Sequence, residues 1–160
     1  MGPRILLVAM LGMLPGLVTQ LRPITWTATA PKSAIAGSTV SIALVATIDD
    51  GWHLYSTTQP AGGPIPTRIT LASSPVFASD GVVTFPKPVV ALDPNFGINV
   101  ETYAKTVTFT VPVRIAANAR PGVDTLALQA RFQSCNASLC LPPKTQTISV
   151  PVTVRGGAAR

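Results

Sequence analysis

The chain has 160 residues, 47% of them apolar and 11% charged, enough for one packed domain and unlike a disordered segment. Its formal charge of +6 reflects few acids (six) more than many bases (twelve). The bases are scattered, as at Lys32, Arg68, Lys87, Lys105 and Arg131, with no basic run interleaved with aromatics, so no nucleic-acid partner is expected.

The chain opens with "MGPRILLVAMLGMLPGLVTQ": one early base, Arg4, then an apolar run over residues 5–18 broken by Gly12, Pro15 and Gly16. This has the form of a secretory signal peptide over residues 1–20 and is short for a membrane span. Export would place the mature domain, residues 21–155, in the periplasm or otherwise outside the cytosol, as a soluble protein whose cysteines can be oxidised. Residues 156–160, "GGAAR", read as a flexible tail.

Beyond the leader the hydrophobic period is two. Over 39–48, Val40, Ile42, Leu44, Ala46 and Ile48 share one parity. The same alternation sets Val107, Phe109, Val111, Val113 and Ile115 on one face, then Leu126, Leu128, Ala130 and Phe132, then Ile148, Val150, Val152 and Val154. Threonines, serines and arginines fill the other parity, as in half-buried antiparallel strands. Weaker strands are expected at 24–30, 51–57, 66–72 and 82–91. Turn signals stand at "AGS" 36–38, "DDG" 49–51, "GGP" 62–64, "SDG" 79–81 and "RPG" 120–122. The pattern predicts an all-β fold, an immunoglobulin-like antiparallel β-sandwich.

The only two cysteines lie in "FQSCNASLCLPP", residues 132–143. Three readings are open. As a structural staple they close a ring of about six residues, worth roughly 2 kcal/mol in the chain-entropy model, and they join neighbours rather than distant strands. As metal ligands, Cys135, Cys140 and the single histidine, His53, fall one short of a structural zinc set, so no metal is expected. As a redox pair they need access. Parity puts Ser134 inward and Cys135 outward, which predicts a Cys135 open to a partner's sulfur. Pro142 and Pro143 then stiffen the exit.

The hairpin "FQSCNASLCLPPKTQTISVPV" resembles the active-site region of the N-terminal periplasmic domain of the thiol:disulfide interchange protein DsbD family. "DDGWHLYS" at 49–56 and "DPNFGINVETY" at 93–103 resemble two further stretches of it, the second a cap loop leading through a short segment into the next strand. The likeness runs over about residues 24–154. It implies that Cys135 and Cys140 cycle between dithiol and disulfide, with Cys140 forming the mixed disulfide. It implies Phe96 and Gly97 as the cap over the sulfurs, and His53, Tyr55 and Asp93 as lining residues. No cofactor is implied beyond the cysteine pair. The implied partners are a membrane thiol reductase, thioredoxin-like domains including those of cytochrome c maturation, and a periplasmic disulfide isomerase.

Departures from the family pattern fall at the site. His53 stands where a tyrosine is common, and Asp93 alone remains of the acidic residues before the phenylalanine. No Lys/Arg cluster is expected at the site beyond Lys144, so no strongly acidified thiol is expected. From the residues alone, Phe96, Tyr55 and Trp52 also read as ordinary core or rim aromatics, and His53 as a merely packed histidine. The competing function is a secreted β-sandwich interaction module with a structural disulfide.

Overall fold

The computed structural model describes residues 20–157, and the expected signal segment therefore lies, but for its last residue, outside the described residues. Among the described residues there are twelve strands: β1 (Ile24–Thr29), β2 (Ala34–Ile35), β3 (Thr39–Ile48), β4 (His53–Tyr55), β5 (Arg68–Leu71), β6 (Phe77–Ser79), β7 (Val89–Asp93), β8 (Ile98–Tyr103), β9 (Thr106–Ile115), β10 (Gly122–Phe132), β11 (Ser134–Cys135) and β12 (Lys144–Arg155). They form three four-stranded sheets, ordered β1-β3-β9-β6, β2-β12-β10-β5 and β11-β4-β8-β7. All pairings are antiparallel except the short β2–β12 contact. Among the described residues no helix is long and apolar enough to cross a membrane.

The first two sheets make the immunoglobulin-like sandwich that the alternation predicts. Every residue assigned inward on β9, β10 and β12 is buried, as are Ile42, Leu44, Ala46 and Ile48 of β3. Their side chains meet between the sheets in one core. Phe109 sits at its centre, with ring centroids 5.8 Å from Trp26, 6.0 Å from Tyr103 and 6.2 Å from Phe85. Tyr103 reaches out of that core to donate its hydroxyl to the Pro86 carbonyl at 2.8 Å.

The third sheet grows out of the other two. Strand β10 leads across Gln133 into β11, and β8 leads across Ala104 and Lys105 into β9, with Lys105 at φ 63°. Strand β3 reaches β4 through the turn at residues 49–52, closed by a hydrogen bond from Trp52 N to Asp49 O. One face of this sheet belongs to the main core through Leu54 and Tyr103. The other carries a separate cluster built on Tyr55, Val100 and Cys135.

Three weaker strands fall where they are expected, shortened to Ile24–Thr29, His53–Tyr55 and Arg68–Leu71. The expected strand at 82–91 is not one element. A bridge from Thr84 to Thr110 is followed by a new strand at Val89. Pro86 and Pro88 lie between, and each removes a ladder donor. The short segment after Phe96 and Gly97 is itself a strand, β8, so the expected cap loop is the tip of the β7–β8 hairpin.

Candidate functional site

Sheet register brings the site together. Cys135 pairs with His53 across β11 and β4, Tyr55 pairs with Thr102 across β4 and β8, and Asp93 pairs with Ile98 across β7 and β8. Alternation then aims Cys135, His53, Tyr55, Val100 and Asp93 to one face, away from the main core. All seven residues expected at the site, Cys135, Cys140, Phe96, Gly97, His53, Tyr55 and Asp93, lie on or over this face.

Cys135 and Cys140 form a disulfide, with an S–S distance of 2.02 Å. The bridge spans a short hairpin. Asn136 N donates to Leu139 O at 2.9 Å inside it, and Leu141 N donates to Ser134 O at 3.0 Å outside it. Asn136 Oδ1 accepts from the amides of Ser138 and Leu139 at 2.9 and 2.8 Å, shaping the intervening turn.

The parity of Cys135 is as expected and its accessibility is not. Cys135 faces away from the main core, yet it is 0% exposed. A second apolar layer, with Tyr55, Val100, Phe96 and Ile98, covers that face. Of the two cysteines Cys140 is the more exposed, being only partly buried.

Phe96 stands at the hairpin tip, residues 94–97, and packs onto this layer. Its ring meets Tyr55 edge to face, with centroids 6.0 Å apart at 89°. Asp93 opens the tip, its carbonyl accepting from Gly97 N at 2.8 Å and its Oδ1 from Asn95 N at 2.8 Å. Gly97 has φ 67°, in the left-handed region, and a Cβ there would meet nothing within 4 Å. Its glycine is therefore a conformational requirement and not a steric one. Asn95 Nδ2 crosses to the Asn136 carbonyl at 2.9 Å and ties the tip to the cysteine loop.

A polar triad lies beside the sulfurs. The Tyr55 hydroxyl donates to Asp93 Oδ2 at 2.6 Å. His53 Nε2 lies 3.0 Å from that hydroxyl and 3.2 Å from the same carboxylate oxygen. Burial, reinforced by the Asp93 carboxylate, pushes the Tyr55 phenol far above its ordinary range. For Asp93, burial acts upward, but hydrogen bonds from Tyr55 and Asn95 and the nearby His53 outweigh it and hold the carboxyl below its usual range. Tyr55 is anchored from behind, its carbonyl accepting from the buried Thr67 hydroxyl at 2.6 Å.

Two hollows flank the site. A pocket of about 260 Å³ opens beside His53 and Asp93. A larger groove of about 490 Å³ runs between Pro142, Pro143 and residues 20–24, and its lining includes neither sulfur. Among the described residues no group of three or more His, Cys, Asp or Glu is gathered as metal ligands.

Two participants were not singled out from the sequence. They are Asn95 and Asn136. Their pairing joins loops 41 residues apart, a distance over which no local pattern operates.

An immunoglobulin-like sandwich with a cysteine pair closed in an outlying hairpin, beneath an aromatic tip, defines a class of small thiol-bearing β-domains. Within it, the family described as thiol:disulfide interchange protein DsbD, N-terminal, matches residues 23–151, and the chain belongs to that family. Among solved structures, the N-terminal periplasmic domain of ScsB from Proteus mirabilis is similar in fold, with a TM-score of 0.62 and 23% identity. The match covers 84% of this chain and 49% of that one, so the chain spans about half the length of its structural relative. A family 123 glycoside hydrolase from Clostridium perfringens aligns at 10% identity and a TM-score of 0.35, over 82% of this chain and 27% of that one. No curated protein matches the chain.

Proposed function

We propose that this domain is an electron relay of the cell envelope, passing two electrons by thiol–disulfide exchange through Cys135 and Cys140. The observation that carries the reading is the asymmetry of the bridge: Cys135 is fully buried and Cys140 only partly so, with Phe96 packed on the same cluster. Cys140 is the sulfur that a partner attacks and Cys135 the one that leaves. In the reverse direction Cys140 attacks a partner disulfide and Cys135 resolves the mixed species. Phe96 and Gly97 form the cap, which shields the bridge until a partner displaces the ring.

Family membership supports the exchange chemistry. The periplasmic setting of the ScsB domain and the signal-like leader support export to the periplasm. The donor in this reading is a membrane thiol reductase or another thioredoxin-like domain. The acceptors are envelope disulfide proteins, among them a disulfide isomerase and the thioredoxin-like proteins of cytochrome c maturation. The redox-active disulfide needs no further cofactor.

Equilibration of the folded protein with glutathione or dithiothreitol couples tests the reading. A relay bridge opens at a potential above about −300 mV, and a structural bridge resists to lower values. Trapping is the second arm: Cys135→Ser should accumulate mixed disulfides through Cys140 with a thioredoxin-like domain. A bridge that stays closed at relay potentials while the fold is intact would make this an interaction module with a structural disulfide.

A further inference from the structure

We infer that His53 supplies the proton Cys135 needs when the bridge opens, so that exchange by this chain is governed by an imidazole. The inference rests on the relay reading and adds the route of the proton.

The attacking thiolate reaches Cys140. A sulfur–sulfur bond forms to Cys140 Sγ, the Cys135–Cys140 bond breaks, and its electron pair passes to Cys135 Sγ. That sulfur is 0% exposed, among Tyr55 and Val100. A thiolate stranded there has no water to solvate it, and burial disfavours the charged form. It must be protonated as it leaves.

The surroundings narrow the donor to one. His53 lies directly opposite Cys135 on β4, and directly opposed residues carry their Cβ atoms about 4.5–5.5 Å apart on the same face. The ionisable groups that face His53 are Tyr55 on its own strand, Asp93 from β7 and Cys135 itself from β11. Strand β8 contributes Val100 and Thr102 to the adjoining pocket, whose lining holds no ionisable side chain besides His53 and Asp93. Asp93 is a carboxylate with no proton to give. Tyr55 has its proton committed to Asp93 at 2.6 Å, and burial holds it there.

The same contacts set the histidine's tautomer. With the Tyr55 proton directed at Asp93, His53 Nε2 is the donor toward the phenol oxygen and the carboxylate. Nδ1 is then the nitrogen that gains and loses the mobile proton. Protonated His53 forms an ion pair with Asp93 at 3.2 Å. After transfer, the partner's second thiol attacks the mixed disulfide and Cys140, the less buried of the two cysteines, leaves as a thiolate that water protonates. His53, with its side chain 21% exposed, regains a proton from solvent. In sum, two electrons and two protons pass from the partner dithiol to Cys135 and Cys140.

The test is the rate at which dithiothreitol opens the bridge from pH 5 to 8, expressed per dithiothreitol thiolate, for the wild type, His53→Gln and His53→Tyr. The wild-type constant should fall about tenfold over this range, in which an imidazole discharges. Both variants should be flat and match the wild type at its high-pH limit. A flat wild-type profile, or an unchanged slope in His53→Gln, overturns the inference and leaves the relay standing. A bridge that dithiothreitol does not open at any pH in the folded protein removes the relay itself. Should the variants fail to fold, the wild-type profile alone decides: a rate per thiolate that does not fall between pH 5 and 8 overturns the inference.

Discussion

Asp93 does the most work per atom at the site. Nearly buried, it accepts from Tyr55, from the amide and side chain of Asn95, and faces His53. A carboxyl held below its ordinary range stabilises the fold above that range, and the stabilisation is lost as pH falls through the depressed folded value. Asp93→Asn should therefore be less stable at neutral pH by about 1.5–3 kcal/mol, the worth of hydrogen bonds to a charged group. The gap between the two proteins should begin to narrow near about pH 4, where an ordinary aspartate protonates, and close only below the depressed folded value. Urea unfolding at stepped pH measures both. Phe96 acts differently. Phe96→Ala should cost about 0.5–1.5 kcal/mol from the lost edge-to-face pair with Tyr55, while speeding reduction of the bridge severalfold in a stopped-flow assay. An unchanged reduction rate would remove Phe96 from the role of cap.

Among the elements, the β7–β8 hairpin and the β11 hairpin form one unit because Asn95 reaches the Asn136 carbonyl. Removing that donor with Asn95→Ala should cost about 1 kcal/mol and raise amide exchange at Phe96 and Gly97 above that of Val100. Equal protection in the variant would mean that the ring alone seats the tip. Legibility from sequence also divides along elements. Strands β3, β9, β10 and β12 run for 10–12 residues, long enough for alternation to declare itself, and their buried parity reads directly. The site sheet is built of strands of 2–6 residues, too short for a period to emerge. Its motifs were legible only through resemblance to a family. Cys135 illustrates the limit of alternation: the pattern gives the face a side chain takes, and a second layer over that face decides whether solvent meets it.

At the scale of the molecule, the site sheet has no independent footing. Three of its four strands continue, directly or through one turn, into the sandwich, and Leu54 and Tyr103 root it in the main core. Phe109→Ala, which empties the centre of that core, should lower global stability by about 3–5 kcal/mol. The bridge should still react at an unaltered rate well below the melting transition, as paired calorimetry and reduction kinetics would show. The cysteine hairpin has its own closure as well. Backbone bonds from Asn136 to Leu139 and from Leu141 to Ser134 bracket the sulfurs on both sides. Opening the covalent link should therefore leave the loop's path held by these two bonds, so that the dithiol form keeps nearly the same outline. If the domain is the relay proposed above, a partner would tell its two states apart by the sulfur atoms and their protons.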